Sequence, residues 1–193
     1  NTTVEKTKQK RAFNWGVATS SYQIEGAHDI DGRGPSVWDV FSHTKGKVKN
    51  GDTGDIACDH YNKFSEDIKL MKDLGVDSYR FSVAWPRIFP VGTEQKINQK
   101  GMDFYDRLVD KLLENDITPF LTLNHWDMPQ GLEDLGGWTN RETVEHFVKY
   151  GHYMSRCLGD RVINWITHNE PWCISFLGYV EGRKPPGLKN EWA

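Results

Sequence analysis

The peptide Asn164-Trp165-Ile166-Thr167-His168-Asn169-Glu170-Pro171 carries the strongest chemical signal in the sequence. An apolar run ends in an Asn-Glu pair followed by proline, the pattern of a strand that delivers a carboxylate at its C-terminal tip. The amide of Asn169 places a donor for a ring hydroxyl beside the Glu170 proton source. Cleavage of a glycosidic bond needs such an acid, together with a second carboxylate that stabilises the oxocarbenium-like transition state. The chain extends only 23 residues beyond Glu170. The second carboxylate is therefore expected outside it.

Other chemistries find less support. His60, His125, His146, His152 and His168 form no HExxH pattern, so no metal site is read here and no cofactor is expected. No GxSxG elbow is present to supply a serine nucleophile. The pairs Glu66-Asp67 and Glu133-Asp134 read as solvated charge. Eight tryptophans are many for 193 residues, and indole rings suit the flat apolar faces of sugars.

The elements that must position these groups alternate strand and helix. Residues 13–19 read as a first strand, followed by a long Gly-rich loop to about residue 54. A helix over 58–74 carries Tyr61, Phe64, Ile68, Leu70, Met71 and Leu74 near helical spacing, and Gly75 closes it. A strand over 76–84 puts Tyr79, Phe81 and Val83 on one face. An amphipathic helix over 101–115, a buried strand over 119–123, a helix opened by a Thr139-x-x-Glu142 capping box and a strand over 162–167 complete the series. Repeated βα units point to an α/β fold with a parallel sheet and right-handed crossovers. No Gly-rich phosphate fingerprint follows the first strand, which disfavours a doubly wound sheet. Four units make half of a (β/α)8 TIM barrel. Residues 1–12 read as an N-terminal tail and 13–193 as the half-barrel, to be completed by a partner fragment or by self-association.

In a barrel the C-terminal strand ends converge on one mouth. Strand one delivers Gln23. Strand two carries Arg80 and runs to Trp85-Pro86-Arg87. Strand three ends in Asn124-His125-Trp126-Asp127, and strand four in Asn169-Glu170. Each supplies a donor, acceptor or aromatic suited to a polyhydroxylated ligand.

A net charge of −3 gives no reason to expect nucleic acid, and no apolar run reaches the length of a membrane span. Cys58, Cys157 and Cys173 have no metal-ligand spacing and read as reduced thiols. With no signal-peptide pattern at the start, they favour a cytoplasmic location.

Several segments together resemble glycoside hydrolase family 1, the β-glucosidase family. They are Phe13-x-Trp15-Gly16-x-Ala18-Thr19-Ser20-Ser21-Tyr22-Gln23-Ile24-Glu25-Gly26, Asp55-x-Ala57-Cys58-Asp59-His60-Tyr61, Tyr79-Arg80-Phe81-Ser82-x-x-Trp85-Pro86-Arg87-Ile88, His125-Trp126-Asp127-x-Pro129 and Asn169-Glu170-Pro171. The resemblance implies a barrel that hydrolyses β-glycosides with retention. It implies Glu170 as acid/base, Arg80 as the group that orients the nucleophile, and Gln23, His125, Trp126 and Asn169 as the glycone site. The family's Glu-Asn-Gly nucleophile motif is absent. The segment Gly182-Arg183-Lys184-Pro185-Pro186-Gly187 departs from the common Gly-x-His-Ala-Pro-Gly, on the aglycone side. The expected partners are thus a β-glucoside and either a C-terminal half or a second copy of this chain. Two readings compete with the enzyme: an inactive half-barrel scaffold that self-associates, and a sugar-binding relative. Retention of Glu170 and Arg80 argues against the second.

Overall fold

The computed structural model describes residues 13–190. The N-terminal tail expected over 1–12 lies outside them. Four parallel strands form one sheet in the order β1 (Gly16–Ala18), β2 (Ser78–Ser82), β3 (Thr118–Asn124) and β4 (Asn164–His168). Ser78 stands between Gly16 and Thr118, and Phe120 is level with Asn164. Sequential, parallel neighbours are what right-handed βαβ crossovers produce. Among the described residues, β1 and β4 each pair on one side only.

Long helices fill the crossovers: α3 (His60–Leu74), α5 (Gln99–Glu114) and α7 (Arg141–Leu158). On β2 the period of two sends Tyr79 and Phe81 to the helical side, where both are buried, and turns Arg80 to the opposite, concave face. Leu121 and Leu123 of β3 follow Tyr79 and Phe81. They meet Ile68 of α3, Phe104, Leu108 and Leu112 of α5, and Tyr150, Met154 and Leu158 of α7. Each such side chain contributes about 1.5–3 kcal/mol by leaving water. Trp85 lies fully buried against Tyr150, ring centroids 4.9 Å apart and nearly parallel. Leu70 and Leu74 of α3 remain exposed, so the apolar stripe is narrower than the sequence implies.

Three local expectations change. The stretch between β1 and α3 is not one long loop: it holds α1 (Ser21–Ile24) and α2 (Val37–His43). Ser36 opens α2 through a capping box, its hydroxyl accepting from Asp39 N at 3.2 Å while Asp39 accepts from Ser36 N at 2.7 Å. The box expected at Thr139 does not form. Gly136 and Gly137, both at positive φ, wind a tight turn in which the Thr139 hydroxyl donates to Gly136 O at 2.6 Å. Asn140 caps α7 instead, accepting from Glu142 N at 3.0 Å. α3 begins at His60, two residues late, because Asp59 sits at φ 55 outside the helical region.

Beyond β2 and β3 lie two single turns, α4 (Trp85–Ile88) and α6 (Gln130–Glu133), and past β4 a π-helical stretch, Cys173–Val180. None of the described helices is long and apolar enough to cross a membrane.

Candidate active site

Arg80 projects from β2 across the concave face of the sheet. Its Nε donates to Thr122 Oγ1 at 3.1 Å and its Nη2 to Asn169 Oδ1 at 2.7 Å. The guanidinium therefore reaches past β3 to the tip of β4. There the backbone is held again: Asn169 N donates to Asn124 O at 3.0 Å, and Trp126 Nε1 donates to Asn169 O at 2.9 Å. Trp126 and Glu170, at the ends of β3 and β4, both adopt positive φ, 77° and 45°. Such backbone costs on the order of 1–3 kcal/mol for a non-glycine residue and persists where its surroundings fix it. The bonds just described, with Cys173 N donating to Glu170 O at 2.9 Å, are those surroundings.

Glu170 is exposed at the tip, where its carboxylate accepts from Cys173 Sγ at 3.2 Å. Burial first, and then this neighbouring carboxylate, push the Cys173 thiol up, keeping it a donor. His125 is half-buried, and burial together with the Arg80 charge lowers it to about 4, against the pull of Glu170. His125 is thus neutral near pH 7 and can both donate and accept. Gln23 stands at the end of α1, exposed on the same cleft as His125 and Trp126. That cleft has a volume of about 330 Å³ and is also lined by Tyr22, Trp38 and Lys184. Trp38 stacks at 6.5 Å on Trp126, and together they divide it from a narrower crevice bordered by Glu133, Trp138, Tyr179 and Lys184. Lys184 Nζ lies 5.4 Å over the Trp38 ring.

Glu170, Arg80, Asn169, Trp126, His125 and Gln23 thus stand around one mouth. Their strand-end neighbours do not join them. Arg87 is fully buried, donating to Glu25 Oε2 at 3.0 Å and to Gly26 O at 3.2 Å, while the Tyr105 hydroxyl donates to Glu25 Oε1 at 2.5 Å. Asp127 is fully buried under Ser21, whose hydroxyl donates to it, and burial raises its carboxyl to about 7. Asn124 is buried against His168, 3.2 Å from its Nδ1, and that ring stacks on Phe147. These groups hold the loops and strand tips in place.

Glu133 is not a solvated charge. It is half-buried, and it accepts from the Tyr179 hydroxyl at 2.5 Å while burial pushes its carboxyl up. Asp67 bonds His60 Nδ1 at 2.6 Å, whereas Glu66 is exposed as expected. The sequence reading missed Trp38, Tyr22, Tyr179 and Cys173. Two signals were present: the Ser36-x-x-Asp39 box that carries Trp38 into place, and the spacing of three between Glu170 and Cys173.

The family model for glycosyl hydrolase family 1 matches residues 5–193. The chain belongs to glycosyl hydrolase family 1. It is 57% identical to Beta-glucosidase A of Acetivibrio thermocellus over 178 residues, covering 92% of this chain and 40% of that relative. Human lactase/phlorizin hydrolase is 49% identical over 183 residues, covering 94% of this chain and 10% of its own length. A family 1 β-glucosidase structure from Thermotoga maritima superposes with a TM-score of 0.92 at 55% identity, covering 93% of this chain and 40% of that one. A complex of a T. maritima β-glucosidase with deoxynojirimycin superposes at 0.91 with 56% identity, over 92% and 40%. The chain thus spans about 40% of the length of these β-glucosidases, and its four βα units form a partial TIM barrel.

Proposed function

We propose that this chain supplies the acid/base half of a retaining β-glucosidase, Glu170 being the proton donor. The observation that carries the reading is the β4 tip. Arg80 holds the Asn169 side chain and Trp126 holds its backbone, so Glu170 stands exposed beside the His125–Trp126–Gln23 cleft.

In the first step Glu170 gives its proton to the departing glycosidic oxygen as a carboxylate nucleophile attacks the anomeric carbon. In the second, the Glu170 carboxylate takes a proton from water as that water releases the sugar. Asn169, His125 and Gln23 present hydrogen-bonding groups to glycone hydroxyls, with Trp126 beside them as an apolar wall. The nucleophile comes from the barrel's second half, where Arg80 orients it. Family relatives named β-glucosidase, one of them solved in complex with deoxynojirimycin, support this substrate class.

The one-sided strands β1 and β4 are where that second half closes the barrel. A second copy of this chain could occupy the same edges. Such a pair would hold two Glu170 side chains and no nucleophile, an inactive scaffold.

The test joins this chain to the C-terminal half of a family 1 relative and measures hydrolysis of an aryl β-glucoside, with proton NMR of the first-formed anomer. Turnover with β-glucose formed first is expected. A well-folded joined barrel without turnover would refute the assignment.

A further inference from the structure

Away from the sugar cleft, three segments bring together side chains that the mechanism does not use. His28 follows α1, His43 is the last residue of α2, and Asp55 lies in the loop before α3. His43 Nε2 is 3.0 Å from Asp55 Oδ2, and His28 Nδ1 is 3.9 Å from Asp55 Oδ1. One donor atom from each of the three lies within 4.8 Å of the other two. Asp29 adds a carboxylate oxygen 3.6 Å from His28 Nδ1. The rings of His28 and His43 are tilted at 50° with centroids 5.7 Å apart, so neither stacks over the other to close the space between them.

We infer that His28, His43 and Asp55 form a site for one divalent metal ion of the zinc type, with every protein ligand drawn from a single chain. Two imidazoles and a carboxylate suit zinc, cobalt or nickel, whereas magnesium and calcium prefer oxygen alone. Donor atoms on a tetrahedral zinc stand roughly 3.4 Å apart, given Zn–N and Zn–O bonds of about 2.1 Å. The separations of 3.0 and 3.9 Å, one to each oxygen of Asp55, lie on either side of that value, and one donor atom per residue keeps all three within 4.8 Å. Small χ rotations of partly exposed side chains close the rest.

Asp55 Oδ1 is the second pointer. It is buried and has no hydrogen-bond partner among the described residues. Buried carboxylate oxygens are normally satisfied, and a metal ion facing His28 would satisfy this one. Arg33, whose Nη1 donates to His28 O at 2.7 Å, is engaged by Asp39 at 2.8 Å, both buried.

An ion here would staple three otherwise separate segments. Asp52, Thr53 and Gly54, just before Asp55, line the sugar cleft, so the staple would fix one of its walls.

The test is Zn²⁺ binding to the 193-residue chain by titration calorimetry, with chain mass followed by light scattering. One ion per chain is expected with no change in mass. His28→Gln, His43→Gln and Asp55→Asn should each weaken binding by at least about tenfold, and the exposed His152→Gln should not. Circular dichroism verifies that each variant folds. Should one fail to fold, Co²⁺ added to the unaltered chain must still shift the ring protons of His28 and His43 while sparing those of His152. Absence of saturable binding, affinity unchanged in the folded variants, unshifted His28 and His43 resonances, or half an ion per chain with dimer formation would each overturn the site.

Discussion

Arg80 Nη2 donates to Asn169 Oδ1 at 2.7 Å, joining β2 to the tip of β4 across the strand between them. The bond lies next to the candidate acid in sequence, so the position of Glu170 depends on a residue 90 positions earlier. Breaking it should loosen the tip before it unfolds the sheet.

Arg80→Met should therefore cost about 1.5–3 kcal/mol of stability, the range for a hydrogen bond made by a charged group. In a completed barrel it should also lower kcat more than it raises KM, since it disturbs groups used in the transition state. Denaturant unfolding and steady-state kinetics measure the two effects. An equal loss in Arg80→Lys would show that the forked geometry matters, because lysine keeps the charge and loses the planar donors.

The buried Glu25–Arg87–Tyr105 cluster should be the most sensitive polar network in the molecule. Arg87→Met leaves the Glu25 carboxylate buried without its ion-pair partner and should cost about 3–5 kcal/mol. Tyr105→Phe removes a donor to Glu25 and an acceptor for Ala84 N, and should cost about 1–3 kcal/mol. Urea unfolding of the two variants checks the order.

His125 and Asp127 pull stability in opposite directions over the same pH range. His125 falls to about 4 in the folded chain, below the ordinary 6.5, so the unfolded chain binds more protons as pH drops. Its contribution is complete above about pH 6.5 and fades from there towards pH 4. Asp127 rises to about 7 from 3.8, so the folded chain binds the extra proton. Its contribution grows as pH falls from 7 towards 4. Relative to the native chain, His125→Gln should therefore gain stability on acidification, and Asp127→Asn should lose it. Thermal unfolding between pH 4 and 8 tests the opposite signs.

The βα order, the helix faces and the strand that carries Glu170 were legible because they rest on periodicity and apolar runs, which are local. Gly75, for example, closes α3 where its left-handed backbone is needed, at φ 75. Other features depended on contacts between distant segments. A residue before proline is biased towards extended backbone, yet Glu170 sits at φ 45, held by Cys173 N and by the anchoring of Asn169. Arg87 and Asp127 looked like mouth residues from their positions at strand ends. Whether such a group faces the cleft or the interior is decided by partners far away in sequence, here Glu25 and Ser21. The Thr139 box failed for a local reason: Asn140 Oδ1 accepts the Glu142 N–H that Thr139 was expected to take. Glu133 read as solvated charge because nothing near it announced Tyr179, 46 residues later.

The most direct test of the central claim compares aryl β-glucosides of graded leaving-group acidity on the completed barrel and its Glu170→Gln variant. An acid that protonates the departing oxygen matters most when that oxygen is a poor leaving group. Glu170→Gln should lose roughly 10²–10⁴-fold on a weakly acidic phenol and far less in first-step rates with a strongly acidic one. Equal losses across the series, or undiminished turnover, would contradict the assignment of Glu170 as the proton donor.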